Sequence, residues 1–302
     1  MKTVRLIRHW SQPDWMRQTP GQRGLWGEIA FTEAPIDACD YVIIHGVVPE
    51  AVEVVCPPEN VWSVIGEPPL NCFVPWHTEI SNVARVFTVN EALQGERYVH
   101  GFTPLPWHVD RSYDELTTMR RPAKTRDLSW VTSDAATFPG HRARMRFLEG
   151  LRGRVDFDLF GRGFTPIRDK WDGLAGYRYS LAIENHRNPY YWTEKIADCF
   201  LAWTMPIYCG CTRISEYFPA EALVPIDLNA TDVVDQVRDA AASDRWEKNL
   251  DAIAYARELV LERYQFFAFA ADAIHRWEAA GKGTSPAQRM TLEYAAQTAA
   301  TT

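Results

Sequence analysis

Four short apolar runs punctuate the first third of the chain: Val4 to Ile7, Tyr41 to Ile44, Val61 to Ile65 and Val86 to Val89. None alternates strictly with polar residues, which is the pattern of parallel strands covered on both faces. Ile44 runs into His45-Gly46, and Ile65 runs into Gly66-Glu67-Pro68-Pro69. In open α/β sheets the ligand crevice lies outside the carboxyl ends of the strands, so both turns are candidate site positions. Beyond residue 103 the texture changes. Pro104, Pro106 and Pro122, with the charged stretch Asp110 to Arg121, read as a rim loop followed by a linker.

A second unit follows. Leu128 to Thr132 reads as a strand, Gly140 to Leu151 as a basic helix, and Val155 to Leu159 as a strand ending at Gly161-Arg162-Gly163. Tyr179 to Ile183 and Met205 to Cys209 are further strand-length apolar runs, with a helix from Glu194 to Trp203 between them. Ile196, Cys199, Phe200 and Trp203 share one face of that helix, and Thr193 stands where an N-cap is wanted. The remainder is helical, Asp232 to Ala242 and Trp246 to Ala280, before an Ala/Thr-rich tail. This order predicts two α/β domains facing across a cleft, residues 1–125 and 126–280, with 281–302 as a flexible tail.

Composition narrows the function. Of the 302 residues, 46% are hydrophobic and 24% charged, as in ordinary globular proteins. The formal charge of -7 argues against nucleic acid as the partner, since phosphate neutralisation needs a basic surface. No run of about 18 apolar residues predicts a membrane span. The start alternates like a strand and lacks the apolar core of a signal peptide. A cytoplasmic protein with reduced thiols is therefore expected, with peripheral membrane association left open. The six cysteines show no C-x-x-C pair. Cys209 and Cys211 read as small residues around a strand end rather than as metal ligands, and no metal site is expected.

The stretch Tyr177-Arg-Tyr-Ser-Leu-Ala-Ile-Glu184-Asn185, followed by Tyr190-Tyr-Trp-Thr-Glu194-Lys195, is the most informative. A buried strand delivers Glu184 and Asn185 to its carboxyl end, and the chain then enters a helix whose first turn carries Glu194 and Lys195. Helix amino termini suit anions. Lys195 there opposes the macrodipole unless a phosphate sits nearby, or unless it pairs with Glu194 or Glu184. A second basic cluster, His141-Arg142-Ala-Arg144-Met-Arg146, opens the helix after Ser133-Asp134. One of its arginines would supply a fork for a diphosphate, while Arg142 and Arg146 read as solvated.

Tyr177, Leu181, Ala182, Glu184, Asn185, Tyr191, Thr193, Glu194, Lys195, Pro206 and Gly210 together resemble the signature of the family-10 α-1,3/4-fucosyltransferases. Ala143-Arg144-Met-Arg146-Phe147, Asp158-Leu-Phe-Gly161-Arg-Gly163 and Tyr217-Phe-Pro-Ala-Glu-Ala222 are similar to three further segments of that family. The amino-terminal likeness is thinner, resting on Gly66-Glu67 and on Tyr98 to Trp107.

The resemblance implies a bacterial-type enzyme of GT-B fold, two Rossmann-like domains with the donor nucleotide bound mainly by the second. It would move L-fucose from GDP-β-L-fucose to a glycan hydroxyl with inversion, with no cofactor and no metal on the diphosphate. It implies that Arg144 and Lys195 hold the diphosphate, that Glu194 bonds the ribose, and that Asn185 and Tyr191 line the donor pocket. Glu184 would contact the fucose or brace Lys195. Glu67 would be the catalytic base, its pKa raised by burial against Trp62, Pro68 and Pro69. His45 would be the competing base or an acceptor contact, and Trp107 and His108 would lie on the acceptor side. Asp134 replaces the family's asparagine. Trp203-Thr204 replaces a pair of small residues, so the indole either repacks the helix base or reshapes the sugar pocket. The alternatives are the same fold using another GDP-deoxyhexose, or a non-catalytic sugar-nucleotide-binding protein.

Overall fold

A computed structural model describes residues 1–294 as two compact α/β units. The first comprises residues 1–106, 112–114 and the described part of 265–302, and the second comprises 107–111 and 115–264.

The first unit contains β1 (Lys2–Arg8), β2 (Leu25–Trp26), β3 (Ile29–Thr32), β4 (Tyr41–His45), β5 (Val52–Cys56), β6 (Val61–Ile65), α1 (Val74–Thr78), β7 (Arg85–Thr88) and β8 (Tyr98–His100). Seven of these strands form one sheet in the order β2-β3-β1-β4-β6-β7-β8, parallel except for the β2–β3 pair. The four apolar runs are thus its core strands. Alternate residues feed opposite faces. Val4, Leu6, Tyr41, Ile43, Trp62 and Val64 enter one cluster, while Ile7, Val42, Ile44, Val61 and Ile65 enter the other. A strand buried on both faces has no polar side to alternate, which is why these runs read as continuous.

After α2 (Tyr113–Thr118), the second unit is built from β9 (Arg126–Val131), α3 (Pro139–Leu151), β10 (Asp158–Phe160), β11 (Tyr177–Ile183), α4 (Glu194–Leu201), β12 (Met205–Cys209), β13 (Val224–Pro225), α5 (Val233–Ala241), α6 (Arg245–Lys248) and α7 (Leu250–Leu259). Its five-stranded sheet, β10-β9-β11-β12-β13, is wholly parallel. Two Rossmann-like units are the components of the expected GT-B class. Among the described residues, no helix is long and apolar enough to cross a membrane.

Three expectations about the carboxyl-terminal region need correction. The helix expected over Trp246 to Ala280 is interrupted by a π-turn at Val260–Tyr264 and ends its run at Gln265. Gln265 takes an extended conformation, and its side chain caps α8 (Phe266–Ala279) by accepting from the Phe267 N–H. Secondly, α8 belongs to the first unit and not to the second. Phe266, Phe267, Ala270, Ala271 and Ile274 complete the cluster that holds Val4, Tyr41 and Trp62, so burying this apolar helix draws the chain back. Thirdly, residues 281–302 were expected to be a flexible tail, but β14 (Gln288–Leu292) pairs antiparallel with β5 and buries Leu292. Residues 295–302 of that tail lie outside the described residues.

Candidate active site

Parallel strands put all their carboxyl ends on one edge of the second sheet. Ser133 follows β9, Glu184 and Asn185 follow β11, and Gly210 follows β12. Glu184 is buried, and both its oxygens are used: Oε1 accepts from the Thr193 N–H at 2.8 Å and Oε2 from the Thr193 hydroxyl at 2.7 Å. A β-carbon on Gly210 would fall 2.4 Å from Glu184 Cγ, so only glycine lets the β12 turn pass this side chain. Burial pushes the Glu184 carboxyl up, against the Lys195 charge and the Thr193 bonds.

Thr193 caps α4 as expected, its hydroxyl accepting from the Lys195 N–H at 3.3 Å. The Lys195 ammonium lies 3.1 Å from that hydroxyl, 3.3 Å from Glu194 Oε1 and 3.5 Å from Glu184 Oε2. The pairing with Glu194 and Glu184, one of the two readings open from the sequence, is therefore present. Burial opposes the Lys195 charge, but the two carboxylates outweigh it and raise its pKa.

Two partners were not singled out from the sequence. Lys170 Nζ lies 2.9 Å from Asp198 Oδ2 and 3.4 Å from Glu194 Oε1. Burial resists the Glu194 charge, yet Lys195 and Lys170 hold its carboxyl well below the usual range. Lys170 opens a single 3-10 turn, Lys170–Gly173, too short to carry a periodic signal. Asp198 could have been found, because it lies four residues after Glu194 among the buried positions of α4. A carboxylate on an otherwise buried face needs a cation.

Arg144 differs from the two lysines. It is only 3% exposed, and its hydrogen bonds go to neutral oxygens, Asn185 Oδ1 at 2.6 Å and Ser133 Oγ at 3.5 Å. Its Nε is buried without a hydrogen-bond partner. Burial lowers its pKa, offset in part by the fields of Glu184, Tyr191 and Glu194. His141, one turn earlier on α3, is held below the ordinary histidine value by burial and by Arg144, Lys195 and Arg162. This edge thus holds one ammonium already met by carboxylates and one guanidinium held by neutral groups. That combination can receive an anion. Tyr191 is buried, with its ring edge-on to His186 at 6.1 Å. Arg142 and Arg146 are exposed, as expected.

The expected acceptor residues fare differently. Glu67 stands half-buried after Gly66 at the carboxyl end of β6. The Trp62 indole, expected to bury it, packs among Tyr41, Phe87 and Trp277 in the core. His45 is a core residue. Its Nδ1 accepts from Trp10 Nε1 at 3.2 Å, so Nε2 carries the proton and donates to the Pro104 carbonyl at 3.0 Å. Burial lowers its pKa to about 4. Both ring nitrogens are thus engaged within the first unit, which leaves neither free to take a proton without breaking a hydrogen bond. Trp107 is buried, and its indole N–H donates to the Arg111 carbonyl at 2.9 Å. His108 is exposed but belongs to the second unit, with its N–H on Asp198 Oδ1 at 2.9 Å and its ring 3.9 Å from Glu194. These two residues therefore belong with the second unit, where the His108 N–H binds Asp198 of α4.

Trp203 is a helix terminator. Its φ is +60°, its N–H donates to the Phe200 carbonyl and the Thr204 N–H to the Cys199 carbonyl, a Schellman-type end with tryptophan at the position that favours glycine. It closes the end of α4 opposite Glu194 and Lys195.

Residues 121–239 match the family described as glycosyltransferase family 10 (fucosyltransferase), carboxyl-terminal region. Among curated proteins, the chain is 26% identical over 170 residues to human 3-galactosyl-N-acetylglucosaminide 4-alpha-L-fucosyltransferase FUT3, covering 53% of this chain and 44% of that one. It is 28% identical over 135 residues to human 4-galactosyl-N-acetylglucosaminide 3-alpha-L-fucosyltransferase FUT6, covering 42% and 36%. The chain thus spans less than half the length of these relatives. Among solved structures it is similar to an alpha1,3-fucosyltransferase with GDP-fucose, at 16% identity and a TM-score of 0.46 over 88% of this chain and 92% of that one.

Proposed function

We propose that this chain, whose residues 121–239 are a family-10 fucosyltransferase carboxyl-terminal region, is an inverting transferase that needs no metal on its donor's diphosphate. It moves L-fucose from GDP-β-L-fucose to a glycan hydroxyl. The observation that carries this reading is Arg144, a buried guanidinium whose hydrogen bonds among the described residues go to neutral Asn185 and Ser133 at the carboxyl edge of the second sheet. The fields of Glu184 and Glu194 offset the burial of this charge only in part, and an incoming diphosphate supplies a directly bonded counter-ion.

In this reading Arg144 and Lys195 face the diphosphate and stabilise the charge that builds on departing GDP. Glu194, ionised by its two lysine neighbours, accepts hydrogen bonds from the ribose hydroxyls. Asn185 and Tyr191 line the pocket. Glu184, bonded to Thr193 and Lys195, braces the ammonium. The acceptor oxygen attacks the anomeric carbon as the bond to the diphosphate breaks. Glu67 takes the hydroxyl proton, and one displacement inverts the centre. The case for another GDP-deoxyhexose rests on Trp203 and on the thin amino-terminal likeness; Trp203 lies at the far end of α4 and gives it no support.

Thermal-shift titration with GDP-fucose, GDP-mannose, UDP-glucose and GDP, each with and without EDTA, tests the donor assignment. Selective stabilisation by GDP and GDP-fucose that EDTA leaves unchanged is expected; no response to any guanine nucleotide overturns it. Glu67→Gln tests the base. It should bind GDP-fucose like the parent and transfer at least 100-fold more slowly, within the usual range for general-base catalysis.

A further inference from the structure

The reactive-group inventory of the first unit contains a pair of thiols unconnected with the donor site. The segment before β4 lies parallel to β5, with Ala38 and Val55 as bridge partners. The Cys39 N–H donates to the Val55 carbonyl at 3.1 Å, and the Val55 N–H to the Asp37 carbonyl at 3.0 Å. The next residues in register are Cys39 and Cys56. In-register neighbours on parallel strands project to the same face and stand about 4.8 Å apart. That separation lies inside the Cα range of about 4.4–6.8 Å that a disulfide spans. Both thiols are free and enter the same apolar cluster.

We propose that Cys39 and Cys56 form a thiol–disulfide exchange site that takes low-molecular-weight disulfides, with Cys39 attacking and Cys56 resolving. The roles follow from access and environment. Cys39 is half-buried, whereas Cys56 is fully buried, with its sulfur 3.6 Å from the Asp40 carbonyl. The Cys39 thiol is held below its ordinary pKa by the Cys56 thiol and by Arg5, while Cys39 and burial push Cys56 up. The Arg5 guanidinium hydrogen-bonds to the carbonyls of Ile36 at 3.2 Å and Glu53 at 3.0 Å, which fixes it beside this segment.

The Cys39 thiolate attacks one sulfur of the reagent, forming a mixed disulfide and expelling one thiolate. Cys56 gives up its proton, and its sulfur displaces the second thiolate from Cys39. Two protein thiols are oxidised, one reagent disulfide is reduced, and two small thiols leave. The link closes a loop around β4 at its amino-terminal end, away from His45 and Gly46. It therefore changes stability and leaves donor binding alone.

The test uses the full chain carrying Cys72→Ser, which removes the exposed thiol. Folded protein is incubated with oxidised glutathione, alkylated and mapped without reduction. A linked Cys39–Cys56 peptide, a two-hydrogen mass loss and a melting temperature higher by roughly 5 °C are expected, reversed by reductant. With Cys56→Ala the glutathione adduct should accumulate on Cys39, and with Cys39→Ala Cys56 should stay unmodified. No linked peptide, equal yield from urea-unfolded chain, or adducts confined to other cysteines would overturn the assignment.

Discussion

A β-carbon on Gly140 would fall 1.8 Å from the Asn185 carbonyl oxygen, so the first turn of α3 rests directly on the loop that ends β11. This contact sets the height of the helix, and one turn later Arg144 meets Asn185 Oδ1 at 2.6 Å. The Gly140→Ala variant must push backbone from backbone. Overpacking of this kind costs about 1–3 kcal/mol. A lower melting temperature and GDP binding weakened at least tenfold are expected, measured by calorimetric unfolding and titration.

Arg144→Met separates binding from stability. Hydrogen bonds to charged groups contribute about 1.5–3 kcal/mol, so nucleotide affinity should fall roughly 10- to 100-fold. Its removal deletes a buried charge without leaving another unpaired, because Asn185 and Ser133 are neutral. Urea unfolding should therefore give a stability equal to or above that of the parent. A large loss of stability would mean that Arg144 is structural.

Acid sensitivity should come in part from two buried neutral histidines. Burial lowers His45 and His77 each to about 4, against 6.5 in the unfolded chain. Between those values the unfolded state binds more protons, so stability is complete above pH 6.5 and is lost as pH falls toward 4. Each histidine accounts for roughly 3 kcal/mol over that window. Urea unfolding from pH 7 to 4 should show the fall, and His45→Gln should remove about one proton from its slope.

Trp203→Gly should leave the Michaelis constant for the donor unchanged. The residue closes α4 at the end away from Lys195, and its positive φ suits glycine. What changes is the packing of the indole ring, over which Arg257 stands at 5.4 Å. A shift in donor specificity would contradict this placement and revive the sugar-pocket reading.

Local pattern made the central strands legible. Runs such as Tyr41 to Ile44 need both faces covered wherever they fold, so their burial required no knowledge of partners. Glu184, Asn185 and Lys195 were legible for a related reason, since a strand end and a helix cap place residues within a few positions of one another. Lys170 was not, because its value comes from Asp198 and Glu194, which approach it only in the folded sheet. The hydrogen bonds of His45 were not legible either, because its nitrogens meet Trp10 and Pro104, both distant in sequence.

The sequence by itself determined the parallel core strands, the Thr193 cap and the placing of Glu184 and Asn185 at a strand end through short-range periodicity and spacing, and it carried the family likeness in its residue motifs. Tertiary structure alone decided that Arg144, at the carboxyl edge of the second sheet, bonds neutral oxygens while Lys195 meets carboxylates, that Trp107 and His108 join the second unit, and that α8 and β14 return to the first. Those outcomes depend on long-range burial and charge pairing. An apolar helix goes to whichever core can cover it, and a lysine is neutralised by whichever carboxylate the fold brings near.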